Sequence, residues 1–312
     1  MWLKLPILFH YLAYGLIVAS ELEFPELFAL PQDANPDISL RWGKIPLIDK
    51  HPEGFHFDNI EITPAAYRLS VPGVATYYVK EGQRIIIEPI EGVSMDLVRL
   101  YCLSNAFAAL LHQRKKIPLH CAAVLKNDQL VMIFGDSGAG KSTTMAGLLK
   151  KGFLPFSDDV CVPVKDISGD WAFYSSYPMM KFWQSTIDMK ELQLQPERKI
   201  RNDMDKFGVY FHDRFCRESK KPLAIFILKK SNRLEDPVLT AMKGMALFQE
   251  LDRNAYRGEY LGAASLKKEH FDFFSSLSNQ VPCYLLQRPE SADSHEEVTQ
   301  IISEELSKLQ DA

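Results

Sequence analysis

The chain has 312 residues, 46% of them apolar and 24% charged, with a formal net charge of −4 at pH 7. That length supports one large domain or two modest ones, each burying its own core, and the composition is that of an ordinary globular protein. The acidic balance, with no basic stripe interleaved with aromatics, excludes a general nucleic-acid binder. Short clusters such as Arg114-Lys115-Lys116 and Arg198-Lys199 read as solvated faces. The five cysteines (Cys102, Cys121, Cys161, Cys216 and Cys283) are scattered, odd in number and without a C-x-x-C pair. They indicate neither a zinc site nor a disulfide framework, and a reducing cytoplasm is expected.

Met1 to Ser20 is apolar, but Lys4, Pro6 and His10 interrupt it and Glu21 and Glu23 follow. No uninterrupted run reaches the ~20 residues of a spanning helix, so no membrane partner is expected. A weak cleavage-like pattern remains at Ala19-Ser20, while Tyr11 to Ala19 reads as a strand. Three further β-rich runs follow, Tyr67–Val71, Ala75–Val79 and Arg84–Glu88, separated by Pro72-Gly73 and Glu81-Gly82-Gln83. Residues 1–95 are therefore expected to form a small β-rich domain, and 96–312 a second, larger one.

Ser94 to Arg114 reads as a helix capped by Ser94, with Leu97, Leu100, Tyr101, Ser104, Ala108 and Leu111 as its apolar stripe. A strand over Pro118–Leu125, a turn at Lys126-Asn127-Asp128 and a strand over Gln129–Phe134 come next. After Gly152, the run Phe153–Val164 reads as one strand broken by Asp158-Asp159. Two strands are expected between Trp171 and Trp183, a helix over Thr186–Leu194 and a buried strand over Pro222–Leu228. Helices over Met242–Leu251 and Ala264–Ser278, a strand over Val281–Leu286 and a helix over Ser294–Leu309 complete the chain.

Between the Gln129–Phe134 strand and the following helix lies Gly135-Asp136-Ser137-Gly138-Ala139-Gly140-Lys141-Ser142. It fits G-x-x-x-x-G-K-[ST], in the strand-to-helix setting that this phosphate-binding loop requires. Glycines let successive N–H groups curl toward phosphate oxygens, and the helix start adds partial positive charge. Lys141 would reach the β- and γ-phosphates and Ser142 a Mg²⁺ ion, with Thr143 next in the nucleotide-contacting turn. The bland alternative is a glycine-rich turn that only links strand to helix.

Phosphoryl transfer also needs a carboxylate near the metal and a group that takes the acceptor's proton. The strand ending at Leu228 runs into Lys229-Lys230 and supplies no acid, which leaves Asp158-Asp159. On an extended segment adjacent acids face opposite ways, so one can face the γ-phosphate and the other metal or substrate; a solvated turn or a helix cap is the alternative. His120 precedes the loop by a hairpin's length, in the Pro118–Leu125 strand, where a hydrogen-bonded core histidine is the commoner reading.

The run His120 … Gly135–Ser142 … Gly152 … Asp158-Asp159 resembles the catalytic half of HPr kinase/phosphorylase. The resemblance implies an α/β fold: a P-loop core shared with ATP-dependent PEP carboxykinases, built on a mixed β-sheet with flanking helices, beside the smaller N-terminal β-rich domain. It implies Asp158 as general base, Asp159 close to metal or substrate, and His120 near the reacting phosphate, with Lys141 in the catalytic set. Two departures point away from HPr as acceptor. Thr143 stands where the family usually has glutamate, and Tyr177–Trp183 replaces the family's glycine-rich signature.

In overall layout the chain is similar to the HPr-kinase-like proteins of peptide-tailoring clusters, including lasso-peptide precursor kinases. The shared features are Tyr14-Gly15-Leu16, Leu119-His120, Tyr177-Pro178…Lys181-Phe182-Trp183 and Val281-Pro282. The expected activity is transfer of the γ-phosphoryl of ATP, with Mg²⁺, to a serine of a peptide or protein, such as the C-terminal serine of a lasso-peptide precursor. Lys181, Lys206, Arg253 and Tyr256 are candidates for the acceptor site; solvated lysines are the alternative for the first two. A small-molecule kinase acting on free serine or a sugar, and an ATP-binding regulator without transferase activity, stay open. So does a homo-oligomer, as HPr kinases are hexamers.

Overall fold

Period-two patterning in the N-terminal part of the chain builds one broad sheet. A computed structural model describes residues 8–48, 54–57, 59–187, 196, 198–201, 204–261, 266–290 and 293–311. The protein divides into two units, Met1–Pro118 with Tyr256–Lys268, and Leu119–Ala255 with Glu269–Ala312. In the first unit the strands are β1 (Phe9–Ala13), β2 (Leu16–Ser20), β3 (Phe28–Leu30), β4 (Ile38–Trp42), β5 (Phe55–Phe57), β6 (Ile60–Ile62), β7 (Ala66–Val71), β8 (Ala75–Lys80) and β9 (Arg84–Pro89). They form a nine-stranded sheet in the order β3-β1-β2-β4-β9-β8-β7-β6-β5.

The three expected runs between Tyr67 and Glu88 are β7, β8 and β9, paired antiparallel in sequence. Tyr11–Ala19, expected as one strand, is instead the β1–β2 hairpin. Tyr14 and Gly15 both take left-handed φ, 57° and 72°, which is the backbone of a two-residue reversal. Ser94 caps the next helix by accepting from Asp96 N. That helix runs as α1 (Met95–Tyr101), a π-helical stretch (Cys102–Ala106) and α2 (Phe107–Gln113). Val98, Cys102, Leu103, Ala106 and Phe107 are buried. Leu97, Leu100, Tyr101 and Ser104 are only half-buried. Because this helix belongs to the first unit, the chain divides after Pro118 and not at the expected 95/96 boundary.

The second unit contains β10 (Leu119–His120), β11 (Ala122–Lys126), β12 (Gln129–Phe134), α3 (Lys141–Lys150), β13 (Leu154–Ser157), β14 (Val160–Lys165), β15 (Trp171–Ser175), β16 (Met179–Trp183), α4 (Gln184–Ile187), β17 (Arg198–Arg201), β18 (Met204–Tyr210), β19 (Pro222–Ser231), β20 (Val238–Ala241), α5 (Gly244–Arg253), α6 (Leu266–Gln280, here from Glu269 on), β21 (Cys283–Pro289) and α7 (His295–Asp311). The main sheet, β13-β11-β12-β19-β21-β20, is mixed: β12, β19 and β21 run parallel and their outer neighbours antiparallel. Two three-stranded sheets, β10-β14-β15 and β16-β18-β17, complete the unit. Strands β17, β18 and β20 were not expected from sequence. The expected helix over Thr186–Leu194 has its first residues in α4; 188–194 lie outside the described residues.

β12 lies inside the main sheet, and from Leu130 to Phe134 it is fully buried, as is β19 from Ala224 to Leu228. On one face Val131 and Ile133 pack with Met145 and Leu148 of α3, Val298, Ile302 and Leu306 of α7, and Met180, Phe182 and Val209 of β16 and β18. Each such side chain contributes roughly 1.5–3 kcal/mol of burial, and together they fix the position of the loop at the end of β12. No helix among the described residues is long and apolar enough to cross a membrane.

Candidate active site

The connection from β12 to α3 demands glycine. Gly135, Gly138 and Gly140 take φ of 139°, 80° and 109°, where L side chains are strained. Gly135 is also pressed against β19: a Cβ there would lie 2.5 Å from Leu228 O. Asp136, Ser137 and Gly138 form the exposed arc of the loop and Ala139 is buried beneath it. Lys141, the first residue of α3, folds back and donates from Nζ to Gly135 O at 2.6 Å and Asp136 O at 3.3 Å. Ser142 and Thr143 follow, half-buried, in the first helical turn. α3 stops where the sequence placed the stop. Gly152 N donates to Leu149 O and Phe153 N to Leu148 O, the paired bonds of a Schellman motif, with Gly152 at φ 84°.

A residue that sequence reading missed supports the loop from behind. Arg288, near the end of β21, is 6% exposed and donates from Nε to Ala139 O at 3.0 Å. Holding that carbonyl outward leaves the loop's N–H groups free to turn inward.

The paired acids sit at the corner where the chain leaves β13 in the main sheet and enters β14 in another. Asp159 takes a left-handed φ of 69°, so the segment is not extended, and the expected opposite-facing arrangement is replaced by convergence. Asp158 Oδ2 accepts from Lys181 N at 2.7 Å, and Asp159 Oδ2 is paired with Lys181 Nζ. The corner is held by Ser157, whose hydroxyl donates to Val160 O at 2.6 Å, and by Cys121 N, which donates to Asp159 O at 3.2 Å.

The two carboxyls are driven apart electrically. Burial, then the charge of Asp159, raises Asp158 from 3.8 to about 6. Burial pushes Asp159 up as well, but Lys181, then Lys206 and His120, outweigh it and hold that carboxyl well below the ordinary aspartate value. His120 Nδ1 donates to Asp159 O at 2.9 Å, which fixes the neutral tautomer with Nε2 as acceptor. Burial lowers its pKa, and Asp159 partly offsets that. Lys141 is likewise lowered by burial, against the opposing pull of Asp159 and Asp158.

Strand alternation delivers the lysines. Across β16 and β18, Lys181 faces Gly208 and Trp183 faces Lys206, so Lys181, Trp183 and Lys206 share one face while Met180, Phe182 and Val209 fill the core from the other. Lys206 Nζ lies 5.9 Å from the Trp183 ring centroid. The structure thus brings His120, Lys141, Asp158, Asp159, Lys181 and Lys206 into one interacting group. Arg253 stands apart in its contacts: it is exposed at the end of α5 and paired with Glu250 at 3.1 Å. Tyr256 belongs to the first unit, where its hydroxyl donates to Ser104 O at 3.0 Å. Among the described residues no three His, Cys, Asp or Glu side chains gather to hold a metal. A nucleotide-borne Mg²⁺ needs only one or two protein donors beside phosphate oxygens, and the Ser142 hydroxyl and Asp159 carboxylate are donors of that kind.

No family model matches the sequence, and no curated protein does. Among solved structures the chain is similar to the HPr(Ser) kinase/phosphatase from Coxiella burnetii, at 10% identity over 62% of this chain and 92% of that one, with a TM-score of 0.32. A superposition that loose adds nothing about the site.

Proposed function

We propose that the protein is a kinase that moves the γ-phosphoryl of ATP, with Mg²⁺, onto a serine hydroxyl of a peptide or protein. One observation carries the reading: beside the lysine of a glycine-built loop stand two adjacent carboxylates, Asp158 buried and Asp159 half-buried, of which Lys181 meets the first with its backbone N–H and the second with its ammonium. A regulator that only binds nucleotide has no use for such a pair.

The loop N–H groups from Gly135 to Gly140 cradle the phosphates and Lys141 neutralises their β/γ charge. Bound Mg-ATP supplies the electrophilic phosphorus and spreads the charge of transfer. Ser142 and Asp159 hold the ion, the latter kept ionised by Lys181. Asp158, with a pKa of about 6, is unprotonated at neutral pH yet basic enough to take the hydroxyl proton. His120 stands near the reacting phosphate, and Lys206 offers a cation to an acceptor carboxylate. The C-terminal serine of a lasso-peptide precursor is the sharpest acceptor hypothesis, because it carries hydroxyl and carboxylate together.

The test is incubation with γ-labelled ATP and Mg²⁺ against a serine-terminated peptide, free serine and a sugar. Label on the peptide is expected. Label on a small molecule alone would replace the acceptor class, and binding without transfer would leave a regulator. Asp158→Asn should bind nucleotide and transfer nothing; near-normal turnover would remove Asp158 as the base.

A further inference from the structure

Beside the phosphate loop, α3 and α7 cross closely where Gly147 meets Thr299. A Cβ on Gly147 would lie 2.5 Å from Thr299 Cγ2, so a larger residue would push the helices apart. A cleft of about 930 Å³ runs along this crossing, within the size range of small-molecule sites. Its wall includes Thr143 of the loop turn and continues through Gly147, Asp293, His295 and Glu296.

We propose that this cleft receives the nucleoside half of the phosphoryl donor, with the base against the His295 imidazole and a ribose hydroxyl donating to the Glu296 carboxylate. The inference rests on the loop being a nucleoside triphosphate site. Thr143 is the residue that loop and cleft share. With Lys141 and Ser142 at the β/γ end of the triphosphate, the α end and its nucleoside leave along the next residue of α3.

His295 touches the loop itself, its Cε1 lying 3.4 Å from where a Gly140 Cβ would stand. Its buried Nδ1 has no hydrogen-bond partner among the described residues. Its pKa is lowered by burial and then by Arg288, so the ring is neutral at pH 7 and suited to stack on a base and exchange a hydrogen bond with it. The cleft carries both signs of charge, Lys150 and Lys151 at the end of α3 lining it with the acids of the α7 segment. Asp293 Oδ1 lies 3.8 Å from His295 Nε2, and Glu296 and Glu297 are exposed on the same wall. Carboxylates accept from ribose hydroxyls, so the acids of the α7 segment suit the sugar end of the donor.

The full chain is titrated with Mg-ATP and, separately, with Mg-tripolyphosphate, which has the phosphates and no nucleoside. His295→Ala and Glu296→Gln should each weaken ATP by about tenfold, the loss of one hydrogen bond or stacking contact, and leave tripolyphosphate unchanged. Lys141→Ala should weaken both. Glu296 is exposed, so its substitution tests the cleft without disturbing the core, and an unchanged melting temperature verifies this. Variants that bind ATP as the wild type does, or lose tripolyphosphate as much as ATP, overturn the cleft assignment. A wild-type chain that binds neither ligand overturns the loop reading instead.

Discussion

Asparagine in place of Asp158 should make the protein more stable at neutral pH while ending phosphoryl transfer. Burial and the Asp159 charge raise the Asp158 carboxyl from 3.8 to about 6. The folded chain therefore keeps this proton to a higher pH than the unfolded chain does. The stability it contributes is full below the unfolded value and is lost as pH rises through about 6. A shift of that size corresponds to about 3 kcal/mol, and this is the cost the fold carries once the group is ionised. Asparagine has the shape of the protonated acid, keeps an oxygen for the Lys181 N–H, and brings no charge to bury. Urea unfolding of Asp158→Asn should show a gain of about 3 kcal/mol at pH 8 that shrinks to roughly half at pH 5. A gain independent of pH, or a loss at pH 8, would refute the claim that desolvation dominates at this carboxyl.

Other expectations follow from the same geometry. With Asp158 as base, kcat for a serine acceptor should fall about tenfold per pH unit below about pH 6; a flat profile from pH 5 to 8 removes it from that role. Lys181→Met takes away the cation that holds Asp159 ionised. Asp159 contributes stability above its unfolded value that is lost as pH falls, so at pH 7 the variant should lose about 1–3 kcal/mol, discounted because the Asp159 side chain is 24% exposed. The acidic limb of its pH–rate profile should also move to higher pH, and an unmoved limb would mean that Lys181 does not set the split. Gly135→Ala places a methyl 2.5 Å from Leu228 O at a φ of 139°. It should cost about 1–3 kcal/mol in urea unfolding and reduce ATP affinity; wild-type affinity would show that the loop tolerates the side chain.

What was legible in the sequence is what is local. The loop is a contiguous word between an apolar strand and a helix, and Gly152 ends that helix through bonds to residues only a few positions back. Likewise the turn at Asn127-Asp128, with φ of 48° and 63°, joins β11 to β12 where polar turn residues separate apolar runs. What escaped depends on distant partners or on one backbone angle. Arg288 reaches the loop from β21, and no pattern near either residue announces the contact. β18 carries Met204, Asp205 and Lys206 in succession, so neither alternate set of its residues is wholly apolar and no period-two pattern marks the strand. The π-helical turn at Cys102–Ala106 breaks the 3.6-residue period on which the apolar stripe was counted. At Asp159 a left-handed residue, tolerated by aspartate more readily than by most side chains, turned two opposite-facing acids into converging ones.

That convergence is what gives two identical, adjacent side chains different chemistry. Had the segment stayed extended, each carboxyl would have met its own surroundings and the split would have rested on chance differences between them. At this corner both meet Lys181, and a lysine has two unequal things to offer: a backbone N–H, which favours an anion modestly, and an ammonium, which favours it strongly. Asp158 receives the first and Asp159 the second. Burial acts on both, so only the ammonium's recipient stays firmly ionised, and that fixed charge in turn raises its neighbour. The difference between the two carboxyls therefore rests largely on the register of β16, which sets Lys181 on the face opposite Met180 and Phe182. Shifting that strand by one residue would put the lysine into the core and leave both acids without it.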